Sequence, residues 1–155
     1  MAQKILVVFY SRSGTTRKIA NALTAALQCD AEEIVLAENP RSFLSAAIAA
    51  LRQRPARIAA TKYDPSSYDL VVIGTPVWAW SVSSPVRTYL AANAQRLPQV
   101  AFFCTFGGRG DNSTLAQMQD LAGKTPRATV AFKMRDVLAG RYSAALGQFV
   151  DALKR

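Results

Sequence analysis

Residues 4–21, KILVVFYSRSGTTRKIAN, set an unbroken apolar run directly before a hydroxyl-rich loop and a helical pattern, an order that few folds accommodate. Ile5, Leu6, Val7, Val8 and Phe9 have no polar residue among them, as a strand covered on both faces requires. Such a strand belongs in the middle of a parallel sheet. After Tyr10 come Ser11, Arg12, Ser13, Gly14, Thr15 and Thr16, with four hydroxyls and one glycine in six residues. Ile19, Leu23 and Leu27 then recur at helical spacing, so the loop ends at a helix N-terminus.

The first N–H groups of a helix lack intrahelical acceptors, and the helix dipole adds partial positive charge at the same end. An anion is the natural occupant. The hydroxyls of Ser11, Ser13, Thr15 and Thr16 can donate to it, and Gly14 allows either a positive φ or close approach of a ligand to the backbone. This inventory suits a phosphate monoester; it would also serve an ordinary strand-to-helix turn capped by Ser or Thr. A GxxxxGK[ST] loop is missing and no GxGxxG follows the strand, which argues against ATP, GTP and dinucleotides. Phe9-Tyr10 and Gly74-Thr75 stand where a phosphoacceptor domain would need aspartates.

Downstream, residues 32–37 form a short strand candidate, and Phe43, Ala47, Ile48 and Leu51 mark a helix that Pro55 ends. Residues 70–74 make a second buried strand, followed by the loop TPVWAWSVSSP, which carries both tryptophans. A helix opens near Pro85 and runs through Val86 and Leu90. Strand 100–106 leads into GGRGDN, a helix face of Leu115, Met118, Leu121 and Ala122 stops at Gly123, strand 128–133 follows, and Leu146, Phe149, Val150 and Leu153 mark the last helix. Strands alternating with helices imply a parallel sheet covered on both faces, here a single domain over 1–155. Ligands of such sheets bind beyond the carboxyl ends of the strands, where the strand order switches. Three loops of unusual composition leave those ends: 10–16, 75–84 and 106–112.

Half of the residues are hydrophobic, enough for a substantial core. No apolar run approaches the roughly 18 residues of a membrane span or the pattern of a signal peptide, so a cytoplasmic protein without a membrane span is expected. Cys29 and Cys104 have no metal-ligand neighbours and read as reduced packing residues. The absence of histidine excludes imidazole acid–base catalysis and His-ligated metals. The net charge is +9, with the densest cations at Arg41, Arg52, Arg54, Arg57 and Lys62, a group with little aromatic interleaving that reads as a solvated face.

Taken with their order and spacing, SRSGTT after the first strand, GTPVWAW followed by SSPVRTYL, and TFGGRGDN resemble the three flavin loops of the flavodoxin family. The resemblance covers essentially the whole chain. It implies a flavodoxin-like three-layer α/β/α sandwich, with a five-stranded parallel sheet of order 2-1-3-4-5, and FMN as cofactor. Ser11, Arg12, Ser13, Gly14, Thr15 and Thr16 would surround the phosphate, with Arg12 adding charge where the family relies on neutral donors. Thr75, Pro76, Val77 and Trp78 would face the ribityl chain and ring edge, and Phe106, Gly107, Gly108, Gly110 and Asp111 the other side. Ala79 and Trp80 complete the second loop where the family commonly has glycine, and a positive φ would cost either of them about 1 kcal/mol. Flavodoxin carriers are usually acidic, unlike this chain. The implied role is electron transfer or a small oxidoreductase, served by a redox partner protein or by NAD(P)H with a quinone-type acceptor. A reading from another class is a flavin-free module for nucleic acid or another anionic partner; the scattered cations argue against nucleic acid.

Overall fold

The computed structural model describes residues 3–37 and 56–154. The run Ile5–Phe9 is β1, and all five residues are buried. Alternation explains why none could be polar: Leu6 and Val8 enter one core cluster, while Ile5, Val7 and Phe9 enter the other. Helix α1 spans Thr15–Leu27 and buries Ile19, Ala20 and Leu23 on the side of Val7 and Phe9. Next come β2 (Asp30–Glu33), β3 (Leu70–Trp78), β4 (Ser81–Val82), α2 (Ser84–Asn93), β5 (Gln99–Phe106), α3 (Asp111–Ala122), β6 (Thr129–Lys133), α4 (Met134–Leu138) and α5 (Ser143–Leu153).

The sheet runs β2-β1-β3-β5-β6 with parallel neighbours, and β4 folds back antiparallel on β3. Counting the long strands alone, this is the expected order 2-1-3-4-5. On one face Val71, Ile73 and Phe102 pack with Val86, Tyr89 and Leu90 of α2 and Met118 of α3. Val72 and Phe103 pack on the other face with α1 and with Phe149 and Leu153 of α5. Each fully buried side chain of this kind contributes about 1.5–3 kcal/mol, so the two faces together fix three layers.

Several boundaries differ from the expectations. The strand expected over 32–37 is β2 at Asp30–Glu33, because its ladder follows β1 from Leu6↔Asp30 to Phe9↔Glu33 and ends where β1 does. The strand expected over 70–74 continues to Trp78: β3 pairs with β5 as far as Pro76↔Thr105 and then turns into β4. Pro76 is tolerated there. The Gly74 carbonyl accepts from Tyr10 N on the β1 side, so Pro76, two residues on, directs its missing N–H to that side beyond the end of β1. Helix α4 was not expected. The expected helix through Phe43, Ala47, Ile48 and Leu51 lies outside the described residues, as do Arg41, Arg52 and Arg54.

Candidate functional site at the carboxyl rim

The chain leaves β1 through Ser11, whose buried Oγ accepts from the N–H groups of Gly14 and Arg17, both at 3.1 Å. The one hydroxyl hydrogen of Ser11 remains to be donated. Gly14 caps α1 at φ 98°, a left-handed conformation that makes glycine the residue of choice. The N–H groups of Thr15 and Thr16 lie in the first turn without intrahelical acceptors, and no hydrogen bond among the described residues uses them. Ser13 Oγ and Thr15 Oγ1 stand 3.4 Å apart. Thr16 spends its hydroxyl on Thr105 Oγ1 at 2.8 Å, tying the loop to β5. Arg17 is held by Glu33 through bonds of 2.7 and 2.6 Å. The groups around Gly14 are thus amides, hydroxyls and the Arg17–Glu33 ion pair, with Arg17 Nη1 3.8 Å from where a Gly14 Cβ would stand, and no unpaired carboxylate.

The second loop is a hairpin. Trp78 pairs with Ser81, leaving Ala79 and Trp80 as the turn, both left-handed at φ 48° and 65°. Two-residue hairpins favour this geometry, usually with Asn-Gly; here two side chains that resist it are held in place from outside. Ser113 Oγ donates to the Trp80 carbonyl at 2.9 Å, and Val82 N donates to Gln117 Oε1 at 2.8 Å, so α3 grips the turn and the returning strand. Trp80 remains 65% exposed. Trp78 packs edge-on against Tyr10, with ring centroids 5.5 Å apart, and the Arg12 guanidinium lies over its ring at 5.9 Å.

The third loop closes on the second. Gly110 has φ 95°, and a Cβ there would lie 2.7 Å from Trp80 Cα and 2.9 Å from Val77 Cγ1. Gly107 and Gly108 face open space. Phe106 is half-buried, and Asp111 opens α3. The structure therefore brings the three loops together: the first meets the second through Tyr10, Arg12 and Trp78, and the second meets the third through Trp80 and Gly110.

Among the residues singled out by sequence, the Thr75 side chain is turned away from this surface. Its buried hydroxyl accepts from Ser83 N at 3.1 Å and donates to the Pro76 carbonyl at 2.8 Å, with the Ser83 hydroxyl at 2.9 Å, which fastens the hairpin. Pro76 and Val77 are half-buried. Sequence reasoning missed Tyr10, Ser83, Thr105, Ser113 and Gln117; all but Ser83, whose partner Thr75 is 8 residues away, act through a partner distant in sequence, and only the place of Tyr10 at the end of β1 marked it. Burial pushes the Tyr10 phenol up, against the opposing pull of Arg12, and the charge of Glu33 adds to the rise. Burial, with a smaller contribution from Asp111, pushes the Cys104 thiol up to about 12, so it stays protonated and is no nucleophile. No cluster of His, Cys, Asp or Glu among the described residues could hold a metal.

A cleft of about 560 Å³ lies elsewhere, beside β2, lined by Glu32, Ile34, Lys62 and Tyr63 among others. Its buried carboxylate, Glu32, already accepts from Lys62 N at 2.6 and 3.0 Å and from Tyr63 N at 3.2 Å. That carboxylate is therefore spent on backbone donors.

A flavodoxin family model matches residues 4–152. The chain belongs to the flavodoxin family. This flavodoxin-family chain is similar to a flavoprotein of Lactobacillus acidophilus NCFM solved in complex with FMN, at 23% identity over 92% of this chain and 99% of that one, with a TM-score of 0.73. It is similar to the Trp repressor binding protein of Bacillus subtilis, at 19% identity over 98% of this chain and 100% of that one, with a TM-score of 0.62. A flavodoxin from the domain Archaea shares the fold at 16% identity over 98% and 99% of the two chains, with a TM-score of 0.57. No curated protein matches. No helix among the described residues is long and apolar enough to cross a membrane.

Proposed function

We propose that the protein is a cytoplasmic, FMN-binding flavoprotein that transfers electrons, and that the rim of three loops is its flavin site. One observation carries this reading: the unused N–H groups of Thr15 and Thr16 stand at the N-terminus of α1, amid hydroxyl donors and with no unpaired carboxylate beside them. A phosphate monoester would meet those donors. Ser11, Ser13, Gly14, Thr15 and Thr16 would hold it, with Trp78, Ala79, Trp80, Gly107 and Gly108 toward the ring. The exposed Trp80 and the open backbone at Gly107 and Gly108 fit a flat heterocycle. Thr75 would act by fixing the hairpin. The FMN-bound relative from Lactobacillus acidophilus supports the same cofactor.

Bound FMN supplies the redox chemistry, accepting electrons singly or as hydride. The chain binds and orients it; without histidine, it offers no imidazole for proton transfer. The donor is either a redox partner protein or NAD(P)H, with a quinone-type acceptor in the second case. Titration of the protein into FMN should quench flavin fluorescence with a break at one FMN per chain; no quenching at any ratio rules the reading out. Anaerobic NADPH added to the loaded protein then separates the donors, since bleaching of the flavin marks the reductase and persistence of colour the protein-fed carrier.

A further inference from the structure

We propose that Arg12 makes this site selective for a phosphorylated flavin, an inference that rests on the flavin reading above. The first loop and the start of α1 carry Arg12, Arg17 and Lys18. Arg17 is committed to Glu33 by two bonds, and the Lys18 ammonium lies over the Tyr142 ring at 6.0 Å. Arg12 forms no ion pair among the described residues; its guanidinium rests on the Trp78 ring at 5.9 Å. That contact uses the face of the group and leaves its in-plane N–H donors free.

The remaining donors near Gly14 are amides, hydroxyls and the Arg17 guanidinium, whose Nη1 lies 3.8 Å from where a Gly14 Cβ would stand but whose charge is offset by Glu33. Amides and hydroxyls can satisfy phosphate oxygens by hydrogen bonds, and the helix dipole offsets part of the charge, but most of a dianion's charge is left without a partner. Arg12 stands in the same loop, three residues before Thr15 and four before Thr16, and the indole beneath it belongs to the hairpin that would flank the ring. It is thus held where the phosphate loop meets the ring loop. A guanidinium in that place favours a ligand bearing a phosphate and does little for the same ring without one.

The test is a pair of fluorescence titrations, FMN and riboflavin, on the full chain and on the Arg12→Gln and Arg12→Lys variants at low and high salt. For Arg12→Gln, the FMN Kd should rise about tenfold at low salt, with riboflavin changed less than about twofold, and the salt dependence of FMN binding should flatten. Arg12→Lys should recover part of the loss by keeping the charge. Inorganic phosphate should compete with FMN more strongly in the parent than in Arg12→Gln. The inference is overturned if Arg12→Gln leaves FMN binding unchanged, or if it weakens FMN and riboflavin equally, which would make Arg12 a support for Trp78. A parent chain that binds neither flavin would overturn the flavin reading itself, an outcome distinct from both.

Discussion

A methyl group added at Gly110 would meet Trp80 Cα at 2.7 Å, at a φ of 95° that L side chains rarely adopt. Gly110→Ala should therefore cost about 1–3 kcal/mol and displace the hairpin, read as a lower denaturation midpoint and an altered near-ultraviolet tryptophan signal. Gly74→Ala should cost more, since its Cβ would lie 2.0 Å from Cζ of the fully buried Phe103 and has nowhere to go. Ala79→Gly works in the opposite sense. Releasing a side chain held at φ 48° should raise stability by about 0.5–1 kcal/mol, after the larger backbone entropy of glycine is subtracted. The positive φ of Gly14 was legible as one of two possibilities, because a glycine before a helix has few other uses. That Ala79 and Trp80 are left-handed was not: the groups gripping their hairpin, Ser113 and Gln117, lie 33 and 35 residues away from the atoms they bind.

The N-terminus of α1 is where local structure and ligand binding pull in different directions. A carboxylate at Thr15, in the first turn, gains about 0.3–1 kcal/mol from the helix dipole. The position is buried, and the cost of taking the charge out of water opposes that gain, so Thr15→Asp should leave the stability of the empty protein within about 1 kcal/mol of the parent. The same charge would stand against a phosphate. Like charges about 4 Å apart repel by roughly 4 kcal/mol at an effective dielectric near 20, so FMN affinity should fall by about two to three orders of magnitude before salt screening. Thermal melts and a flavin titration on one variant check both effects; unchanged FMN affinity would remove the loop from the site. Strands β1 and β5 were legible because both faces are covered and their apolar runs are continuous. Strand β2 was misplaced because it is a polar edge strand, DAEE, whose extent is set by β1 rather than by its own composition. The sheet order was implied by family resemblance, since alternation of strands and helices specifies a parallel sheet without fixing the order.

Across the whole molecule, the absence of histidine removes the side chain that ordinarily titrates between about pH 5 and 8, so stability should be nearly flat there. Alkali should then act through the buried thiols and through the phenols of Tyr10, Tyr68 and Tyr89, which burial also pushes up. Burial pushes Cys29 up to about 11 and Cys104 up to about 12 from an ordinary value of 9.0. Above that ordinary value the unfolded chain releases protons that the folded chain retains, so this contribution is intact below pH 9.0 and is lost as pH rises through about 11 and 12. Urea midpoints against pH should show the fall, and Cys29→Ala with Cys104→Ala should make it shallower. The net charge of +9 was visible in the sequence, but not that Arg17, Arg96 and Arg141 pair with Glu33, Asp64 and Asp136 while Arg12 rests on an indole. The central claim is that three loops, far apart in sequence, form one flavin site. Amide chemical-shift mapping of the ¹⁵N-labelled protein during FMN addition tests it most directly. The account predicts that the largest shifts fall in 11–16, 75–80 and 106–111 and saturate together at one equivalent; shifts confined to the cleft at Glu32, Lys62 and Tyr63, or none at all, would contradict it.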